Sequence, residues 1–159
     1  MHFKLLCILM LCFSIDLRAA EQPAKDFSLP DIQSKQQITL SNYFGKVIYL
    51  DFWASWCSSC AKALPLFNHW DHALGENFVV VSVNVDEDIA DGLDMAAKLQ
   101  LDFPIAYDKS LNVAKMYQAS VLPSSFIIDK NGFIQYQHIG FQEKDAHKLK
   151  ALIKHLLQN

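Results

Sequence analysis

The chain has 159 residues, of which 52% are apolar and 19% charged, and its formal net charge is −3. That length holds one domain and leaves little room for a second. The composition excludes a disordered or collagen-like chain, and the slight acidity lacks the basic stripe of a nucleic-acid or acidic-membrane binder.

The N-terminus reads as a targeting segment. Lys4 is positive, Leu5 to Phe13 carry no polar side chain except two thiols, and Ala19 and Ala20 offer small residues for cleavage. The apolar stretch is nine residues, too short for a bilayer helix of about 20. The expected organisation is a cleaved export signal over 1–20 and one domain over 21–159. The alternative is an uncleaved N-terminal anchor. Of four cysteines, Cys7 and Cys12 fall in the signal, so Cys57 and Cys60 are the pair left after export.

Residues 21–30 form an extended lead-in, with a short strand around Phe27 and Leu29, and Ile38 and Leu40 alternate in the same way. After Gly45-Lys46, the run Val47 to Trp53 is β-branched and aromatic almost throughout, as in a strand buried on both faces. Ala54-Ser55-Trp56-Cys57-Ser58-Ser59-Cys60 follows, then a helical pattern through Leu64, Phe67 and Trp70 that Gly75 closes. Pro65 predicts a kink there. Phe78 to Val85 is a second buried strand, ended by Asp86-Glu87-Asp88. A helix over Ile89 to Leu99, an extended run over Phe103 to Tyr107 and a short helix over Leu111 to Tyr117 come next. Ser124 to Asp129 is a strand, Lys130-Asn131-Gly132 a hairpin turn, and Phe133 to Ile139 the returning strand. Ala146, Leu149, Leu152, Ile153 and Leu156 recur at helical spacing and predict a closing amphipathic helix. The early βαβ alternation favours parallel pairing, and the hairpin adds an antiparallel edge.

Chemistry concentrates at Cys57 and Cys60. Two cysteines three apart can close a disulfide across one helical turn. A cysteine at a helix N-terminus after a buried strand meets free N–H groups and the positive dipole end, which favour a thiolate. Cys57 is then the attacking thiol, and Cys60, one turn further in, resolves the mixed disulfide. A zinc site needs about four ligands, and only two thiols remain. Haem attachment needs a His directly after the second cysteine, where Ala61 stands. A purely structural disulfide would close so short a loop that it restrains the unfolded chain little.

The segment Asp51-Phe52-Trp53-Ala54, Trp56-Cys57-x-x-Cys60 and Pro65 resembles the active site of thioredoxin-fold proteins. Asp26-Phe27-Ser28-Leu29-Pro30-Asp31, Leu40-Ser41-Asn42-Tyr43 and Val121-Leu122-Pro123-Ser124-Ser125 are similar to the exported TlpA/ResA-like branch. The resemblance implies an α/β thioredoxin fold: a mixed central sheet flanked by helices, with an N-terminal β-hairpin extension and a helical insertion after the active-site βαβ, holding Asp86 to Leu101. It implies a redox disulfide between Cys57 and Cys60, and a cis proline at Pro123 that presents a backbone edge to substrate. It also implies that Asp51 moves protons to and from Cys60. Trp56, Leu122 and Pro123 would bind substrate. The expected partners are protein thiols and disulfides in the export compartment and a membrane thiol donor, without cofactor, metal or nucleic acid.

On the residues alone, Pro123 is an ordinary loop proline and Asp51 a strand-edge acid, although a carboxylate in so apolar a strand should be harder to ionise. The chain departs from many ResA-like proteins, which carry a glutamate three residues after the second cysteine. Here that residue is Ala63 and the acid is Asp51, which weakens a specific role in cytochrome c maturation. Glu87 could approach the site from the next strand. The expected activity is thiol–disulfide exchange, as a reductant. A disulfide oxidase or isomerase, or a metal chaperone using the same cysteines, are the alternatives. A peroxidase would show Thr and Pro before the reactive thiol, where Trp53-Ala54-Ser55-Trp56 stands.

Overall fold

A computed structural model describes residues 22–159. The expected signal over 1–20 lies outside the described residues. Three short strands come first: β1 (Gln22–Pro23), β2 (Ser28–Pro30) and β3 (Gln37–Thr39). A 3-10 turn over Leu40–Tyr43 leads into β4 (Val47–Trp53) and α1 (Ser58–Ala73). Then follow β5 (Phe78–Asn84), α2 (Ile89–Lys98), β6 (Ile105–Tyr107), α3 (Asn112–Met116), β7 (Ser124–Ile128), β8 (Phe133–Ile139) and α4 (Asp145–Gln158).

The main sheet has six strands in the order β1-β8-β7-β4-β5-β6. β4 runs parallel to β5 and antiparallel to β7, and Asp51 stands opposite Ser82 on one side and Ser125 on the other. This is the mixed sheet of a thioredoxin fold. β2 and β3 form the separate N-terminal hairpin, and α2 is the inserted helix.

All seven residues of β4 are buried, which explains the unbroken apolar run that marks it in the sequence. Its side chains alternate between two cores. Val47, Tyr49 and Trp53 face α1 and α4, with Cys60, Phe67, Trp70, Leu149 and Ile153. Ile48, Leu50 and Phe52 face the opposite core with Val113, Tyr117 and Phe126. By the two-residue period of a strand, Asp51 belongs to the α1 side. On that side the rings of Tyr49, Phe67 and Trp70 pack at centroid distances of 4.6, 5.5 and 5.8 Å.

Pro65 lies inside α1, which continues to Ala73 as one helix. Two details depart from expectation. The run Phe103 to Tyr107 contributes a parallel third strand, β6, beside β5; three residues are too few for a periodic signal. The hairpin is not the sheet edge, because β1 pairs with β8 outside it. In the hairpin turn, Gly132 takes a φ of +86°, and the Asp129 carboxylate accepts from the N–H groups of Asn131 and Phe133. A Cβ on Gly132 would also meet the Phe44 ring at 2.9 Å, so only glycine fits there.

Phe67 joins the three-ring cluster and also contacts Phe141. Phe67→Ala should therefore cost about 3–5 kcal/mol of stability, read from urea denaturation of the disulfide form.

Candidate active site

β4 leaves the sheet at Trp53 and the chain turns through Ala54-Ser55-Trp56 into α1. Cys57 is the N-cap of α1, with extended φ and ψ of −87° and 102°, and its Sγ accepts the Cys60 N–H at 3.2 Å. Cys57 and Cys60 are joined as a disulfide, with Cα atoms 5.2 Å apart. No acidic residue lies in the first turn of α1. The free N–H groups and the positive dipole end therefore face the Cys57 sulfur without a competing local charge. Cys60 is fully buried, while Cys57 lies at the surface of the core. The Ser59 hydroxyl lies 3.5 Å from the Cys57 sulfur.

Asp51 sits beneath this turn, on the face of β4 that α1 covers. It is wholly buried, and one carboxylate oxygen accepts the Ser125 hydroxyl at 2.7 Å. Burial pushes its pKa up to about 8, and the Ser125 hydrogen bond offsets part of that rise. Loss of hydration is the dominant cause, since no cation balances the charge. Asp51 is therefore mostly a neutral acid at neutral pH.

The antiparallel register of β4 and β7 brings the start of β7 beside the exit of β4, with Phe52 opposite Ser124. Leu122–Pro123, just before β7, is a cis peptide bond, and its proline is buried. Trp56 is 71% exposed. It shares an apolar groove of about 470 Å³ with Leu122, Leu111, Val85 and Ala119. The structure thus gathers Cys57, Cys60, Asp51, Trp56, Leu122 and Pro123 around one end of the sheet. Trp53 is a core residue whose indole N–H reaches the Ser82 hydroxyl at 3.1 Å.

Residues 20–137 match the AhpC/TSA family. The chain belongs to this family. Among its relatives is a thiol-disulfide oxidoreductase ResA of Bacillus cereus, 28% identical over 90% of both chains. ResA of Bacillus subtilis (strain 168) is 33% identical over 82% of this chain and 74% of its own. Among solved structures, a protein of Chlorobium tepidum described as a thiol:disulfide interchange protein DsbE superposes with a TM-score of 0.81. It has 35% identity over 86% of this chain and 96% of that one. The exposed lipoprotein thioredoxin Etrx1 of Streptococcus pneumoniae strain TIGR4 gives a TM-score of 0.72. Its identity is 33%, over 83% of this chain and all of that one. Within the AhpC/TSA family, this chain is a thiol–disulfide oxidoreductase of the ResA/DsbE type, with Cys57–Cys60 as its cysteine pair.

One residue of the site is not evident from the sequence. Asp86 is buried and accepts the Ser55 N–H at 2.9 and 3.0 Å, the Ser55 hydroxyl at 2.9 Å and the Asn84 amide at 2.7 Å. It pins the loop two residues ahead of the reactive cysteine. A Cβ on Gly92 of α2 would come within 2.8 Å of the Asn84 amide, so the inserted helix backs this clamp directly. Glu87, by contrast, is exposed, and only its backbone carbonyl is engaged, by the Tyr107 hydroxyl. The acid joined to the loop is Asp86. The available signal was a buried Asn-x-Asp at the end of a buried strand, which the acidic run Asp86-Glu87-Asp88 masks.

Asp51 takes up a proton on folding, because its folded pKa lies above the ordinary value of 3.8. Its neutral form fits the core, so this contribution is complete below about pH 4 and is lost as pH rises toward 8. Asp51→Asn should flatten the fall in Tm between pH 5 and 8 and raise Tm at pH 8 by several degrees, as seen by thermal denaturation of the disulfide form. Asp86→Ala leaves the Ser55 N–H unpaired and should cost about 1–3 kcal/mol. It should also slow alkylation of reduced Cys57, because the helix start is no longer held.

Proposed function

We propose that this chain works after export as a reductant, passing electrons from a membrane thiol donor to disulfides in other exported proteins. The observation that carries the assignment of roles is a disulfide between an N-cap cysteine and a fully buried one, on the face of the sheet that holds a buried carboxyl group. The signal-like sequence over 1–20 supports export. Among the described residues no helix is long and apolar enough to cross a membrane.

In the dithiol state Cys57 is the thiolate. It attacks one sulfur of the substrate disulfide, and the other substrate sulfur leaves as a thiolate that takes a proton from water. Once Asp51 has given up its own proton, Cys60 gives its proton to the Asp51 carboxylate. Its thiolate attacks the Cys57 sulfur, which closes Cys57–Cys60 and frees the second substrate thiol. Re-reduction runs the other way. A donor thiolate attacks Cys57, Cys60 leaves, and protonated Asp51 supplies its proton. A carboxyl group with a pKa of about 8 suits both directions, because proton transfer is most efficient when the pKa lies near the working pH. Pro123 and Leu122 present a backbone edge to the substrate chain, and Trp56 covers the apolar residues beside its cysteine.

What surrounds the thiols supports the reducing direction. Strong protein oxidants stabilise their reduced thiolate. Here the residues between the cysteines are Ser58 and Ser59, and the ionisable groups tied to the site are the carboxyl groups of Asp51 and Asp86. None of these groups is a cation that would hold a thiolate beyond what the helix start supplies, and this supports the dithiol as an electron donor.

Two measurements test this. Cys60→Ser should accumulate mixed disulfides through Cys57 with exported proteins in intact cells, and Cys57→Ser should trap none. The Cys57–Cys60 couple should have a potential below about −200 mV; a value near that of strong protein oxidants, about −120 mV, would assign the chain to disulfide formation instead.

A further inference from the structure

Among the described residues, three buried side-chain polar atoms have no hydrogen-bond partner: Tyr49 Oη, Asp51 Oδ2 and His138 Nε2. A buried polar atom without a partner is costly, and a fold rarely leaves one without a reason. All three belong to one place. Asp51 on β4 stands opposite Ser125 on β7, and Ser125 stands opposite His138 on β8. Residues directly opposite in neighbouring strands point to the same face with Cβ atoms about 5 Å apart. Asp51, Ser125 and His138 therefore form a polar row from the centre of the sheet toward its edge, under α1 and α4. The Ser125 hydroxyl already donates to Asp51. The Tyr49 phenol feels Asp51, the Ser125 hydroxyl and Asp145.

The outer end of the row meets solvent. His138 and Asp145 keep 17% and 24% of their side-chain surface exposed. His138 Nε2 lies 3.3 Å from Asp145 Oδ2, close enough for an ion pair when the ring is protonated, yet off the line of a hydrogen bond. The groups facing His138 are Asp145 from α4, Ser125 from β7, and Tyr136 on its own strand, stacked at 6.4 Å with Lys148 above it. Facing Asp51 are Ser125 from β7, Ser82 from β5 and Tyr49 on its own strand.

We propose that Ser125 and His138 are positioning residues that form the proton outlet of Asp51. This rests on the reading of Asp51 as proton partner of Cys60. At neutral pH the Asp51 carboxyl holds a proton, so it must lose that proton before it can accept one from Cys60. The Ser125 hydroxyl, which donates to Asp51 at rest, turns toward His138, its partner across the register; its oxygen then accepts the Asp51 proton as its own proton moves to the His138 imidazole. Asp51 is left as carboxylate and His138 as imidazolium, which Asp145 stabilises and which releases the proton to water. One proton moves, no electrons do, and every group except Asp51 returns to its starting state.

The test is single-turnover reduction of a disulfide peptide by the reduced full domain, with tryptophan fluorescence reporting closure of Cys57–Cys60 between pH 6 and 8. His138→Ala should slow the closing step about tenfold, less than the full effect of general acid–base catalysis, while alkylation of Cys57 stays at the wild-type rate. Imidazole in the buffer should restore the rate, which a packing defect would not allow. His138→Gln, which cannot take up a proton near neutral pH, should be slow in the same way and serves if His138→Ala does not fold. His138 variants at the wild-type rate beside a slow Asp51→Asn would overturn the outlet and leave Asp51 in its role. A slow His138→Ala that imidazole does not rescue would also overturn it. Asp51→Asn at the wild-type rate would remove the reading on which the outlet rests.

Discussion

A carboxyl group at the middle of a strand with water on neither face sets the terms for the rest of the molecule. Asp51 lies in the most buried element of the fold, where an apolar residue would pack at no electrostatic cost. Its neighbours are arranged around that cost. Ser125 supplies one hydrogen bond, α1 seals the face above, and the charge is avoided at neutral pH by keeping the proton. The same burial that makes the group expensive brings its pKa close to neutral pH, which is what the proposed exchange of a proton with Cys60 requires.

The second constraint is the start of α1. A cysteine that caps a helix needs its preceding loop held still, and the fold supplies this from the neighbouring strand. β5 ends in Asn84 and Asp86, whose side chains hold Ser55, and α2 lies against Asn84 through Gly92. The inserted helix is thus joined mechanically to the reactive turn. The two carboxyl groups act differently: Asp86 is saturated with donors and fixes geometry, while Asp51 is under-saturated and can change its protonation.

Much of this was legible in the residues because the deciding signals are local. β4 and β5 announce themselves by unbroken apolar runs, α1 by its spacing and closing glycine, and the chemistry by a Cys-x-x-Cys placed between a buried strand and a helix. The mixed sheet, the hairpin extension and the inserted helix all stand where the resemblance implied. What was not legible depends on register. That Asp51, Ser125 and His138 share a row follows from how three strands distant in sequence align, and no local pattern encodes it. β6 was too short to show a period. Asp86 was hidden in an acidic run that reads as a solvated turn, and its two neighbours in that run, Glu87 and Asp88, are indeed exposed.

The two outermost strands carry a further meaning. β1 is two residues and ends in Pro23, which has no N–H to offer, and β6 is three residues with Asp31 bridged to Ala106 beside it. Among the described residues, the sheet is therefore finished at both sides by stubs that offer little for another chain to pair with. A protein that meets unfolded, thiol-bearing chains is exposed to their strands as much as to their sulfurs. Blunt sheet margins let a substrate chain be joined through one transient disulfide and then let go, without being templated into aggregation.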